Sequence, residues 1–184
     1  MSAIISELDE NAAVQVMHLW RRLHRACGLE GIFNYPTPHF TWFSSADVDV
    51  DRCLLVIETF AKRHKPFQIQ TAGLGLFPGE LPVLFLPLVK SLKLATLHQT
   101  LWEEVYPLTE EMREISLPPY WVPHITLAIK DLNRQNLTCA VDAIAFDTLQ
   151  LFIRIDNIML VEPGVDELGD TMGRFSFSGE ETSR

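Results

Sequence analysis

The sequence repeats one five-residue pattern, with one copy in each half of the 184-residue chain. Pro38–Trp42 and Pro123–Leu127 share the order proline, histidine, large apolar residue, threonine, large apolar residue. Alternate side chains of a β-strand point to opposite faces, so each histidine shares a face with its own threonine. The repeat therefore predicts two related strands that bury apolar residues on one face and present an imidazole and a hydroxyl on the other.

The spacing of apolar residues predicts an α+β fold around these two motif strands. We expect one domain over residues 1–184, built as two pseudo-symmetric lobes with antiparallel sheets flanked by helices and a central cleft. The predicted strands are Ala3–Leu8, His39–Ser44, Phe67–Phe77, Val83–Val89, His124–Lys130, Leu149–Val161 and Arg174–Ser178. The predicted helices are Asn11–Ala26, Asp47–His64, Leu92–Val105 and Gln135–Ala145. Phe67–Phe77 and Val83–Val89 are expected to form a hairpin, Pro107–Pro119 an irregular connection, and Gly179–Arg184 a disordered tail.

The formal net charge of −9 argues against extended nucleic-acid binding, because that charge repels a long polyanion. A small nucleotide or an RNA end can still bind in a locally favourable cleft. No uncharged apolar run reaches membrane-spanning length, so no membrane association is expected. We expect a monomer.

The three cysteines are widely spaced and form no Cys-x-x-Cys pair, so buried free thiols are expected at Cys27, Cys53 and Cys139. Acidic residues appear from Glu7 onward, which is atypical of a secretory signal peptide. Together these features predict a cytoplasmic protein.

The four polar side chains of the repeat are His39, Thr41, His124 and Thr126, here called the quartet. Opening a phosphodiester needs a base for the attacking hydroxyl and an acid for the leaving oxygen. Histidine serves both tasks near neutral pH because its ordinary pKa is about 6.5. The threonine hydroxyls would donate hydrogen bonds to non-bridging phosphate oxygens. This scheme calls for no metal and no cofactor.

These motifs, their separation, and the Gly-Leu-Gly-x-Phe stretch at Gly73–Phe77 resemble the two-histidine phosphoesterase superfamily, in its branch of 2′-5′ RNA ligases and cyclic phosphodiesterases. The resemblance runs from about Ala3 to Ser178. It implies a bilobal α+β enzyme that opens 2′,3′-cyclic phosphates, or cleaves related 2′-linked phosphodiesters, without a metal. It also implies that the two histidines form the acid–base pair, with His124 as base and His39 as acid in hydrolysis, and that the two threonines anchor the phosphate.

Four further residues are candidates for substrate binding. Tyr35, Tyr120 and Trp121 precede the motif strands, where aromatic rings can stack on a base or pack within the fold. Lys130 shares the face of His124 and Thr126 by parity. In the superfamily a basic residue follows the second motif more closely than Lys130 does.

Three functions fit the sequence. The leading hypothesis is a metal-independent phosphodiesterase acting on a nucleotide or RNA end that carries a cyclic phosphate. The alternatives are a nucleotide-binding module without turnover, and a 2′-5′ RNA ligase or tRNA-end processing enzyme. A binding module would retain affinity for adenosine phosphates, with no product formed and little dependence on either motif histidine.

Overall fold

The computed structural model describes residues 2–35, 37–162 and 171–179 and has an α+β architecture. Its α-helices are α1 (Glu10–Cys27), α2 (Val50–Arg63), α3 (Leu92–Val105) and α4 (Leu137–Ile144). Its strands are β1 (Ser2–Glu7), β2 (His39–Val48), β3 (Phe67–Gln70), β4 (Gly75–Phe77), β5 (Val83–Pro87), β6 (Thr109–Met112), β7 (His124–Ala128), β8 (Phe152–Ile155), β9 (Asn157–Val161) and β10 (Thr171–Ser176). The predicted fold class is confirmed. Residues 180–184 of the predicted tail lie outside the described residues.

The motif strands β2 and β7 are neighbours inside one large antiparallel sheet. The strand order is β10-β9-β1-β2-β7-β5-β4, with β6 pairing the far end of β2. Strand β9 therefore lies beside β1, with β10 at the edge next to β9, and each side of the sheet combines segments from distant parts of the sequence. This order brings the two copies of the repeat together at the centre of the sheet.

The apolar residues of the motif strands form the centre of the hydrophobic core. Their fully buried side chains are Phe40, Trp42, Ile125 and Leu127. Helix α1 packs against β7 and α4, while α2 packs against β9, β10 and α3. Burying a large apolar side chain contributes roughly 1.5–3 kcal/mol, so the buried face fixes the orientation of the polar one. Within the described residues, no helix is long and apolar enough to cross a membrane.

Helix α1 begins and ends at residues that commonly cap helices. The Asp9 side chain accepts a hydrogen bond from the amide of Ala12 and caps the first turn. Gly28 ends the helix in the left-handed conformation, with φ of 69°. Its capping amide donates to the carbonyl of His24.

The predicted hairpin is correct only in part. Segment β4 pairs with β5, but β3 pairs with β8 in a separate two-stranded sheet. Gly73, with φ of 81°, interrupts the segment that was predicted as one strand. The side chain of Thr71 then holds the neighbouring chain by donating to the Leu149 carbonyl and accepting from the Leu151 amide.

Other segments also differ from the prediction. Strand β2 continues to Val48, so α2 begins at Val50 with Asp49 as its cap. The connection predicted to be irregular contains β6, which pairs with β2 through Ser45 and Met112. The end of β2 provides hydrogen-bond partners for the backbone N–H and C=O groups of β6, so this short polar segment can form a strand.

The expectation of three free thiols is wrong for two cysteines. Cys27 and Cys139 are joined by a disulfide, with Cα atoms 5.8 Å apart, whereas Cys53 is a buried free thiol. Because α1 packs against α4, the fold brings together two cysteines that are 112 residues apart in the sequence. The bond ties the end of α1 to the first turn of α4.

Candidate active site

Both motif strands show the predicted alternation of faces. In β2, His39 and Thr41 are half-buried, while the residues between and after them are fully buried. The same alternation occurs in β7 at His124 and Thr126. The quartet therefore lies on the face of the sheet opposite the main core.

The register between the strands brings the two motifs face to face. Phe40 of β2 pairs with Ile125 of β7 in antiparallel orientation. One residue further in each direction, this register places His39 opposite Thr126 and Thr41 opposite His124. All four quartet side chains line a single cavity of about 430 Å³.

Each motif histidine is held by the backbone carbonyl two residues before it. The Nδ1 atom of His39 lies 3.0 Å from the carbonyl oxygen of Thr37, and that of His124 lies 2.7 Å from the carbonyl oxygen of Val122. A carbonyl oxygen can only accept, so Nδ1 carries the hydrogen in both rings. The neutral rings therefore keep an unprotonated Nε2 for proton transfer.

The proline of each motif supports this arrangement. Pro38 and Pro123 stand between the accepting carbonyl and the histidine, and a proline ring restricts φ to about −65°. Their own carbonyls accept hydrogen bonds from the amides of Leu8 and Leu88, respectively. The repeated proline was therefore the sequence signal for these backbone acceptors, which sequence reasoning did not identify.

Each motif threonine is held by a tryptophan side chain. The indole Nε1 of Trp121 donates to the Thr41 carbonyl at 3.1 Å, and the indole Nε1 of Trp20 donates to the Thr126 carbonyl at 3.0 Å. Trp20 is not among the site residues predicted from the sequence. Its role depends on the packing of α1 against β7, which the sequence pattern does not reveal.

The two histidines have different electrostatic surroundings. Burial lowers the pKa of His39, while its hydrogen bond to the Thr37 carbonyl and the Glu7 carboxylate act in the opposite direction. Burial also lowers the pKa of His124, the bond to Val122 raises it, and the nearby His39 lowers it further. The influence of one imidazole on the other shows that they belong to one electrostatic site.

The rings around the histidines also differ. His124 lies beside the stacked rings of Phe77 and Phe85, with ring centroids 4.9 and 5.0 Å away. His39 lies 5.9 Å from the ring of Tyr35, measured between centroids. The surroundings of His124 are thus the more apolar of the two.

The predicted substrate-binding residues fall into three positions. Tyr35 and Lys130 line the cavity. Trp121 also lines it but is only 4% exposed and stacks on Trp42 and His98, so the structure uses its ring for packing. Tyr120 is 58% exposed and is not among the described residues that line the cavity.

His98 is a buried structural residue. Its Nε2 atom lies 3.2 Å from the Trp42 carbonyl oxygen, and its ring stacks on Trp121 with a centroid separation of 3.8 Å. Burial lowers the pKa of His98 to about 4, so the ring is neutral near pH 7. Its ring packs against Trp121, which lines the cavity.

The charge of the cavity is opposite to that of the whole chain. Among the described residues lining it, Arg113 and Lys130 are cationic and none is a carboxylate. This contrasts with the formal net charge of −9. Arg113 was not assigned a role from sequence, because its approach depends on the pairing of β6 with β2. In the described part of the chain, no group of three or more His, Cys, Asp or Glu residues could hold a metal ion.

A solved structure shares this fold. The chain matches the crystal structure of TT0787 of Thermus thermophilus with a TM-score of 0.68 and 18% identity, covering 98% of this chain and 99% of that one. Among curated proteins, none matches the sequence. The class of protein is therefore an α+β fold with two histidine–threonine motifs on adjacent central strands.

The family follows from the sequence match. The model of the 2′-5′ RNA ligase superfamily matches residues 9–167, which include both motifs. The chain belongs to the 2′-5′ RNA ligase superfamily. The resemblance to two-histidine phosphoesterases is confirmed.

Proposed function

We propose that this protein is a metal-independent phosphodiesterase that opens the 2′,3′-cyclic phosphate of a nucleotide or an RNA end. The observation that carries the proposal is the shared cavity lined by two imidazoles and two threonine hydroxyls. Membership in a superfamily of phosphoesterases and ligases supports it. The absence of carboxylates among the described lining residues also favours an anionic substrate.

The proposed reaction uses the quartet as follows. The Nε2 atom of His124 accepts a proton from water, and the water oxygen attacks phosphorus. The bond between phosphorus and one ribose oxygen breaks, and the protonated Nε2 of His39 gives its proton to that oxygen. Thr41 and Thr126 donate hydrogen bonds to the non-bridging oxygens, where negative charge increases. The products are a ribose hydroxyl and a phosphate monoester, and the histidines have exchanged protonation states.

The neighbours of the histidines support this choice of base and acid. Glu7 favours the protonated form of His39, as a proton donor requires. His124 lies beside two phenylalanine rings and responds to the charge of His39, so its neutral form is favoured. Proton transfer by each positioned histidine contributes about 10²–10⁴ in rate.

The test is product analysis with purified protein in the presence of a chelator. Adenosine 2′,3′-cyclic monophosphate and an oligonucleotide ending in a 2′,3′-cyclic phosphate are incubated with wild type, His39→Ala and the control His18→Ala, which changes an exposed histidine of α1. We expect wild type and the control to form a monoester, and His39→Ala to lose nearly all of this activity. No product from either substrate, or equal activity in all three proteins, would contradict the proposal.

The family match favours a second candidate, formation of a 2′-5′ phosphodiester. It uses the same quartet in the same roles: Nε2 of His124 accepts the proton of the attacking 5′-hydroxyl, which replaces water, and His39 gives its proton to the ribose 3′-oxygen as the bond from that oxygen to phosphorus breaks. Incubating an RNA 5′-hydroxyl end with a cyclic-phosphate end distinguishes the two, since ligase activity gives a longer product. A product limited to the opened phosphate supports hydrolysis.

We also propose that the protein works as a monomer in the cytoplasm. The disulfide between Cys27 and Cys139 bears on this location, because glutathione and thioredoxin keep most cytosolic thiols reduced. Rapid alkylation of cells followed by mass spectrometry measures the state of both cysteines. A cytoplasmic protein is expected to show alkylated thiols at both positions, whereas a full disulfide would contradict that location.

A further inference from the structure

The cationic residues lie toward opposite ends of the cavity. Arg113 follows β6, and its amide donates to the carbonyl of Ser44 in β2 at 3.2 Å. Ser44 lies three residues beyond Thr41 in β2, whereas Lys130 lies four residues beyond Thr126, just after the end of the oppositely directed β7. Because β2 and β7 are antiparallel, these two directions diverge from the quartet. The cavity therefore has room for more than one anionic group of the substrate.

The Arg113 end of the cavity contains two buried hydroxyls. Ser44 and Ser116 are 8% and 3% exposed, and both line the cavity. Their Oγ atoms lie 3.5 Å apart, and the Ser44 amide donates to the Ser116 Oγ at 3.0 Å. Either hydroxyl can donate to the other, so the pair keeps one hydroxyl hydrogen for a further acceptor.

The guanidinium of Arg113 differs from most others in the protein. Five other arginines in the described residues lie within 4.0 Å of a carboxylate oxygen, namely Arg22, Arg52, Arg63, Arg154 and Arg174. Over the same described ranges, no carboxylate pairs with Arg113. A guanidinium presents a planar set of donors that matches two phosphate oxygens at once. Arg113 lines the cavity, so its guanidinium can donate these hydrogen bonds to a phosphate bound there.

The path between the quartet and Arg113 is apolar and has a defined length. Strand β1 flanks it, with Ile5 opposite Thr41 and Ala3 opposite Ser44, and both apolar side chains line the cavity. Because the register shifts between Ile4 and Ile5, the stretch from Thr41 to Ser44 matches two residues of β1, which span about 7 Å. A group bound near Arg113 is therefore separated from the reacting phosphorus by roughly the length of a nucleoside.

We propose that Arg113, with the hydroxyls of Ser44 and Ser116, binds a second phosphate of the substrate. The substrate class is a nucleotide or RNA end whose terminal nucleoside carries a 5′-phosphate group in addition to the 2′,3′-cyclic phosphate. The ribose then lies along the apolar path between the two phosphates. This inference rests on the proposed function, because it assigns the cyclic phosphate to the quartet.

The kinetic test compares two substrates that differ only in the second phosphate. Adenosine 2′,3′-cyclic phosphate is assayed with and without a 5′-phosphate, using wild type, Arg113→Gln, Arg113→Lys and the control Arg134→Gln, which changes an exposed arginine outside the cavity. We expect wild type and the control to prefer the 5′-phosphorylated substrate about tenfold in kcat/KM, which corresponds to roughly 1.4 kcal/mol. Arg113→Gln should bring the ratio close to one, and Arg113→Lys should give an intermediate ratio.

A binding test keeps the inference separate from turnover. Isothermal titration calorimetry measures the affinity of adenosine 2′,5′-bisphosphate and adenosine 2′-monophosphate, which contain no cyclic bond to open. We expect the bisphosphate to bind about tenfold more tightly to wild type but not to Arg113→Gln. Equal affinities in wild type, or a preference that Arg113→Gln retains, would overturn the inference. If the bisphosphate preference holds but no cyclic substrate is opened, the second-phosphate site stands and the proposed reaction fails.

Discussion

The two motif strands share one set of backbone supports but place their histidines in different surroundings. In both, Nδ1 is held by the carbonyl two residues earlier, and an indole donates to the threonine carbonyl. On the β2 side, Glu7 of β1 pairs with His39, while on the β7 side His124 lies beside two stacked phenylalanine rings. The repeat thus sets the geometry of both histidines, and the residues outside the repeat distinguish their proton affinities.

The contacts of Glu7 explain how it acts on one strand only. Its Oε1 atom accepts a hydrogen bond from the Thr37 hydroxyl at 3.0 Å, and its Oε2 atom accepts from Arg174 Nε at 3.2 Å. The backbone of Thr37 is also the acceptor for His39. Glu7 is therefore connected to His39 through one residue, and Arg174 moderates its charge. Glu7 thus favours the protonated form of His39, whereas burial lowers the pKa of that ring.

The largest expected effect comes from removing either imidazole. His39→Ala and His124→Ala should each lower kcat for cyclic-phosphate opening by about 10²–10⁴, since each removes one proton-transfer group. Steady-state assays across pH check this, with His18→Ala as the control. If either variant kept wild-type activity, the two histidines would not be an acid–base pair.

Removing either threonine hydroxyl should lower kcat less than removing an imidazole does. The decrease should be similar for the two strands. Thr41→Val and Thr126→Val preserve size and remove only the hydroxyl, so each should lower kcat by about 100-fold. Thr96→Val, on the exposed face of α3, is the matched control. A loss confined to one threonine would show that only one strand holds the phosphate.

Acidic pH should lower the free energy of unfolding through His98, a buried histidine behind the β2 side that has no counterpart on the β7 side. His98 stacks behind Trp121, and its folded pKa of about 4 lies below the ordinary value of 6.5. The unfolded chain therefore binds the extra proton first, and stability falls as pH decreases from about 6.5 to 4. The loss is on the order of 3 kcal/mol, since one pKa unit corresponds to 1.36 kcal/mol. Urea unfolding at pH 7 and pH 4.5 measures it, and His98→Phe should reduce the difference between the two pH values.

The smallest expected effect is a pH shift caused by Glu7. Because the carboxylate raises the pKa of His39, Glu7→Gln should lower that pKa and move the alkaline limb of the kcat profile to lower pH. The control is Glu10→Gln, which removes the same charge from an exposed residue of α1. A shift of the acidic limb alone would assign Glu7 to the base instead of the acid.

The sequence was sufficient for features that depend on local periodicity. The repeat predicted which face carries the quartet, and Asp9 and Gly28 marked the ends of the first helix. These features follow from the alternation of a strand and from helix capping, which act over a few residues.

Features that depend on distant packing were not predictable in this way. The β3–β8 pair, the disulfide and the indole of Trp20 each join segments more than 80 residues apart. Arg113 reaches the cavity only because β6 pairs with the end of β2. One strand pattern can accept several partners, so the pattern alone does not select among them.

Nuclear magnetic resonance of the histidine ring nitrogens tests most directly whether both motifs bind one anion. The protein is titrated with adenosine 2′-monophosphate at pH 7 while the Nε2 signals of His39 and His124 are followed. Both signals should change together with one dissociation constant, and Nδ1 should be the protonated nitrogen in both neutral rings. A change at one histidine only, or two separate constants, would contradict a shared site.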